Sequence, residues 1–138
     1  MQCEFICKDN EKMKSCISCK DYFKESVEVR NAIISGVNAL YARICSYEQQ
    51  NISFDRIFND DKVKYDKHGQ FYTFKFQKSN MQLRILYAYL IIDGVPVVLV
   101  ADFFVKKRNT KDYIGRFEAV CDKSPEELYG CSRVIGVA

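Results

Sequence analysis

The sequence predicts an α+β domain, with helices packed on one face of a small antiparallel sheet. Three observations predict it. Apolar residues recur at helical spacing between about Ser15 and Gln50. From Phe71 the period changes to strand alternation, and a strong hairpin signal stands at Asp93-Gly94. Helical spacing returns after Lys111. The expected order is an N-terminal strand, then helices, then a three-stranded meander, then a helix. One face of the sheet is then left to bind something. The 138 residues suit one domain spanning 1–138, with no repeat, linker or second domain expected.

Taken in order, Gln2-Cys3-Glu4-Phe5-Ile6-Cys7 reads as a short strand, and the polar run Asp9 to Lys14 breaks it. Val27, Ile33 or Ile34, Val37, Leu40 or Tyr41 and Ile44 then form a helical packing stripe, with Arg30, Asn38 and Arg43 elsewhere on the wheel. His68-Gly69 is a turn signal. In the strand 71–77, alternation sends Tyr72, Phe74 and Phe76 one way and Thr73, Lys75 and Gln77 the other. A second strand covers about Gln82 to Ile92. A third, about Pro96 to Val105, is almost wholly apolar, as a strand covered on both faces would be. A helix follows over about Lys111 to Cys121, and Ser124-Pro125-Glu126-Glu127 resembles another helix start. The tail from Tyr129 to Ala138 is either an edge strand or a loose end.

Apolar residues make up 48% and charged residues 28%, which excludes a disordered chain. The near-apolar stretch Ile85 to Val105 is interrupted by Asp93-Gly94, Pro96 and Asp102, so it is no membrane span. Met1 to Glu4 carries no basic segment leading into an apolar one, so a cytoplasmic protein is expected. Seven cysteines, an odd number, then fit reduced thiols. The pattern Cys3, Cys7, Cys16, Cys19 leaves a zinc site as an alternative, although the two pairs are closely spaced and Cys3 and Cys7 share a strand segment. The preferred expectation is no metal and no cofactor.

Charge is unevenly placed. The net of +3 resolves into −2 over residues 1–61, +7 over 62–111 and −2 over 112–138. The basic block contains Lys62, Lys64, Lys67, Lys75, Lys78, Arg84, Lys106, Lys107, Arg108 and Lys111. Gathered on one face, such a block attracts phosphate backbones. Its bland counterpart is a solvated edge that discourages strand-to-strand aggregation.

Three segments of the basic half carry a resemblance: Tyr72-Thr73-Phe74-Lys75, Leu83-Arg84-Ile85-Leu86-Tyr87, and Leu99 to Phe103-Phe104-Val105-Lys106-Lys107. Separated by the Asp93-Gly94 hairpin and followed by Asp112 to Val120, they resemble the HigB-like branch of the RelE/ParE toxin superfamily over about residues 71–120. The chain departs from that pattern at Lys75, where an arginine is usual, at Asp102, near the pattern's histidine, and in its extra length ahead of Phe71. The resemblance implies the toxin half of a type II toxin–antitoxin pair, held by a cognate antitoxin and cutting messenger RNA on the ribosome without metal. It leaves two alternatives: a ParE-like poison of DNA gyrase, and a non-catalytic RNA- or protein-binding domain on the same scaffold.

Metal-free RNA cleavage uses the 2′-OH as nucleophile, so the protein must stabilise a phosphorane and move two protons. One histidine excludes a two-histidine nuclease, and the few carboxylates of the basic block disfavour magnesium chemistry. Arg84 is the expected grip on the scissile phosphate, with Lys75 adding charge. Of Lys106 and Lys107, alternation directs one to the site. Arg108, Lys111, Lys78 and His68 are expected RNA-binding residues, and His68 could also exchange protons. Tyr72 and Tyr87 are expected in the core, with stacking on a base as the alternative. Asp102 either orients an arginine or caps its strand.

Overall fold

The computed structural model describes residues 3–9, 14–18, 22–52, 56, 59, 61–64, 66, 68–78, 80–106, 113–130 and 132–137. The elements are β1 (Cys3–Asp9), β2 (Lys14–Ser18), a 3-10 turn (Tyr22–Lys24), α1 (Val27–Gln49), β3 (Tyr72–Lys78), β4 (Met81–Ile92), β5 (Val95–Lys106), α2 (Tyr113–Val120), α3 (Pro125–Gly130) and β6 (Ser132–Val137). Six strands form one mixed sheet in the order β3-β4-β5-β2-β1-β6.

The meander β3-β4-β5 stands where the change of period placed it, and both its pairings are antiparallel. Asp93 and Gly94 turn the β4-β5 hairpin with φ of 51° and 80°, the pair of positive values that a tight two-residue turn requires. Halfway along, Leu86 pairs with Asp102 but Tyr87 pairs with Val100, so Ala101 is an inserted bulge residue. The bulge reverses the alternation of β5. Val97, Leu99 and Ala101 share a face before it, and Phe104 continues that face after it. Val98 and Val100 lie on the other face with Phe103.

The helices cover both faces, not one. Ala32, Ile33 and Val37 of α1 pack on Leu83, Ile85, Val100 and Phe103. Leu40 and Ile44 continue the same layer onto Tyr87 and Val98. Phe117 of α2 and Leu128 of α3 pack with Leu86, Ala88, Leu90, Val97 and Leu99 on the opposite side. The cause is β4 and β5 themselves: both parities are apolar over most of their length, so either face left bare would expose a hydrophobic surface. Among the described residues neither face of β4 and β5 is left wholly open, so a binding surface on this part of the sheet lies where a helical layer stops short.

The N-terminal third also corrects the expectation. Lys14–Ser18 is a strand, not the start of a helix. It pairs antiparallel with β1 and parallel with β5, Cys16 standing beside Leu99. Serine and cysteine are weak helix formers, and the free flank of an apolar β5 offers a ladder in exchange. The helix starts later, at Ser26, whose side chain accepts a hydrogen bond from the Val29 amide at 3.2 Å. It ends with Asn51 in the left-handed region at φ 57°. The Asn51 amide donates to Glu48 and the Ile52 amide to Tyr47, which closes the helix. Gly36 lets α1 lie close to the sheet, because a Cβ there would meet Ile85 Cδ1 at 2.8 Å. The C-terminal tail is an edge strand, β6, parallel to β1.

Candidate functional site

Strand register gathers the expected phosphate ligands. Lys75 of β3 stands directly across from Arg84 of β4, and Arg84 directly across from Phe104 of β5. In the next row outward Gln77 faces Gln82, and Gln82 faces Lys106. In the next row inward Thr73 faces Leu86, and Leu86 faces Asp102. Leu86 and Phe104 pack with the α2-α3 layer, so all three rows belong to that side of the sheet. The layer covers the inner row, where Thr73 and Asp102 are buried. Beyond it Lys75, Gln77 and Gln82 are exposed, and Arg84 and Lys106 are half-buried. This outward end of one face is the candidate site.

Arg84 is held at its centre. Its Nη1 donates to the Leu83 carbonyl at 3.1 Å. Its Nε is buried and has no hydrogen-bond partner among the described residues. Two cations directly opposed on one sheet face repel each other, so the Lys75–Arg84 pair is unfavourable unless an anion joins it. Lys106 lies diagonally across from Arg84, at a spacing that long side chains bridge. Aromatic surface borders the row: the ring of Phe104 lies 5.6 Å from that of Tyr113, the first residue of α2.

Asp102 orients an arginine, and that arginine is Arg116 of α2. Arg116 Nε donates to one carboxylate oxygen at 2.7 Å and Nη2 to the other at 2.6 Å. The first of these two expectations for Asp102 therefore holds, with the Phe103 amide as a further donor at 2.8 Å. This pair fixes α2 against the bulge beside the candidate site. Nothing in the spacing of the sequence joined residues 102 and 116; only the bulge, which puts Asp102 on the α2 side, brings them together.

Other expected residues fall elsewhere. Lys78 is on the α1 side, where its Nζ donates to Ser35 Oγ at 2.9 Å. It is removed from the Arg84 row because strand alternation separates 78 from 75 and 77. His68 occupies an exposed turn ahead of β3, three residues of strand short of the Lys75 row. That turn is built on buried Asp66, whose carboxylate accepts from the amides of His68, Gln70 and Phe71 at 3.1, 2.7 and 2.6 Å. Lys107, Arg108 and Lys111 lie outside the described residues. Cys3 and Cys7 sit four positions apart on β1, about 13 Å along a strand. The side chains of Cys3, Cys7 and Cys16 and the whole of Cys19 lie outside the described residues, and with them the four-cysteine alternative.

A second polar cluster lies on the α1 side. Tyr87 is fully buried, and its hydroxyl donates to Asp61 Oδ2 at 2.6 Å. Arg43 forms an ion pair with the same carboxylate and lies over the Phe74 ring, 5.0 Å from its centre. Burial, reinforced by the neighbouring Asp61 charge, pushes the Tyr87 hydroxyl well above the usual tyrosine range. Burial opposes the charge of Arg43, but the Asp61 carboxylate reverses this and raises its pKa. The expectation that Arg43 falls off the packing stripe is therefore corrected. It follows Gly36 by seven residues and Leu40 by three, which is the buried spacing of α1. That spacing was the available signal; no signal marked Asp61 as its partner. The cluster ties α1, the segment before β3 and β4 together, and the Thr73 amide donates to the Asp61 carbonyl at 2.8 Å.

Among the described residues no group of three histidine, cysteine or acidic side chains could hold a metal ion. No helix among them is long and apolar enough to cross a membrane. No family model, curated protein or solved structure matches the chain.

Proposed function

We propose that this protein binds RNA, taking the phosphodiester backbone on the Lys75–Arg84–Lys106 end of the sheet. The observation that carries the reading is the directly opposed Lys75–Arg84 pair on the exposed end of this face, with Lys106 diagonal to it. A phosphate supplies what that arrangement lacks: charge that relieves the repulsion, and oxygens that accept from the guanidinium fork. Phe104 and Tyr113 border the same row and offer apolar ring surface to an unpaired base. A flexible single strand can follow this short row and present both groups, which favours RNA over a stiff duplex.

The sequence resemblance extends this reading to cleavage of messenger RNA by a toxin that a cognate antitoxin silences. In that form the 2′-OH attacks phosphorus, a 2′,3′-cyclic phosphate forms, and the 5′-oxygen leaves with a proton. Arg84 and Lys75 then hold the charge of the phosphorane. The proposed experiment measures both levels with one set of proteins. Binding of a labelled single-stranded RNA is followed by anisotropy, and transcript ends are mapped in a translating extract. Salt-sensitive binding lost in Arg84→Ala supports the RNA face. New transcript ends that disappear in the same variant support cleavage. Binding that is indifferent to Arg84 refutes the proposal at both levels.

A further inference from the structure

β3 forms one edge of the sheet, with β4 on its inner side. The fold shows which backbone groups point off that edge. The Thr73 amide donates outward to the Asp61 carbonyl at 2.8 Å, and Lys62 and Tyr72 form a single antiparallel bridge there. Alternation then aims the N–H and C=O of Lys75 and Gln77 off the edge too, while those of Phe74 and Phe76 turn inward to β4. Among the described residues no strand pairs with this edge beyond Tyr72. Its side chains alternate in character. Lys75 and Gln77 are exposed on the α2 side. Phe74 and Phe76 are half-buried on the α1 side, their rings stacked 6.4 Å apart. A bare edge of this kind is a template for another strand.

We propose that this edge pairs with a second copy of the chain, β3 against β3 and antiparallel, about a two-fold axis at Phe76. Such an interface must be complementary to itself, and this register is. Lys75 stands across from the partner's Gln77, so no two cations oppose each other directly, and each such pair exchanges reciprocal backbone hydrogen bonds. Phe76 meets the partner's Phe76 as a non-hydrogen-bonded pair, the closest side-chain spacing in an antiparallel ladder and a favourable one for aromatic rings. An axis one residue earlier would set Lys75 against the partner's Lys75, and one residue later would lose the aromatic pair. There is room for the second copy. α1 packs on Leu83, Ile85 and Tyr87 of β4, one strand in from the edge. The two α1 helices would then lie about three strand spacings apart, roughly 14 Å, wider than the roughly 8–10 Å of helices in contact. The two sheets become one, with both Lys75–Arg84–Lys106 rows on the same face. The pairing itself does not rest on the RNA reading.

The test is sedimentation of the full chain, in reductant and free of nucleic acid, from micromolar to near-millimolar concentration. The expected result is a concentration-dependent shift from the 16.1 kDa chain to twice that mass. Gln77→Glu sets a carboxylate across from the partner's Lys75 at both symmetric positions and should tighten the dimer about threefold to tenfold. Gln77→Lys opposes cations there and should weaken it by about as much. Gln77→Pro removes an amide that points off the edge, so it should give a monomer that melts as the wild type does. If that variant melts early, the opposite signs of Gln77→Glu and Gln77→Lys decide. Two results would overturn the proposal. One is a monomer throughout for both wild type and Gln77→Glu, which leaves the edge bare or to a foreign strand. The other is a dimer equally tight in Gln77→Glu and Gln77→Lys, which places the interface elsewhere.

Discussion

Lys75 and Arg84 face each other across neighbouring antiparallel strands, two cations in direct register with no carboxylate between them in either row of the exposed end. Opposite charges would be favoured at such a position, and like charges directly opposed are destabilising by a few tenths to about 1 kcal/mol. Lys75→Glu should therefore raise stability by about 0.5 kcal/mol while weakening RNA binding at least tenfold. Thermal melting and anisotropy on the same protein check the two signs. A variant that melts higher and still binds RNA as before would show that the row's charge serves no ligand.

The Arg43–Asp61–Tyr87 cluster should be structural. Asp61→Ala removes the carboxylate that accepts from both the Arg43 guanidinium and the buried Tyr87 hydroxyl. Removing one partner of a fully buried ion pair costs about 3–5 kcal/mol, and the partial exposure of Arg43 reduces this to about 2–3 kcal/mol. Tyr87→Phe removes the bond donated to Asp61 and the longer one accepted from Arg43, and should cost about 1–2 kcal/mol. The two changes share a contact, so the double variant should lose less than their sum. Urea melts of the four proteins measure this, and strict additivity would contradict the cluster.

Gly36 tests the close approach of α1. Gly36→Ala gains about 1 kcal/mol of helix propensity but drives a methyl into Ile85 Cδ1 and the Phe76 ring. A net loss of about 1 kcal/mol is expected. Ile85→Val removes the clashing methyl, so Gly36→Ala should be harmless or stabilising in that background. Equal effects of Gly36→Ala in both backgrounds would mean that the helix does not bear on Ile85.

Cys121 gives a pH signature. Burial, with the nearby Asp66, Asp122 and Glu118 charges, pushes its thiol from 9.0 up to about 12. Between those values the unfolded chain has lost the proton and the folded one keeps it. The unfolded state therefore binds fewer protons, and stability falls as pH rises through that window. Tyr87, shifted in the same direction from 10.0, steepens the fall. Cys121→Ala should make the decline between about pH 9 and 12 shallower, and alkylation of Cys121 at pH 8 should require unfolding.

The meander was legible in the sequence because each part carries a local signal: alternation in Tyr72 to Gln77, positive-φ residues at Asp93-Gly94, and an unbroken apolar run in β5. The second helical layer was legible as well, in that same run, since a strand apolar on both sides demands cover on both. Treating the helices as one layer overlooked this demand. The N-terminal hairpin left a weaker trace, because Lys14–Ser18 is short and owes its strand form to pairing with β5. In the candidate site, Lys75 and Arg84 followed from pattern, whereas the exclusion of Lys78 followed from alternation that the charge block conceals. Arg116 and Asp61 depend on a bulge and on a contact distant in sequence, and neither has a local signature.

Under the proposed function, Lys75, Arg84 and Lys106 together contact RNA phosphates. The most direct measurement is the salt dependence of RNA affinity for each single alanine variant. For single strands each phosphate contact contributes about 0.7 to the slope of log affinity against log salt. Lys75→Ala, Arg84→Ala and Lys106→Ala should each lower the slope by about that amount, while Lys78→Ala on the opposite face should leave it unchanged. Slopes unaltered by the first three, or lowered equally by Lys78→Ala, would contradict the account.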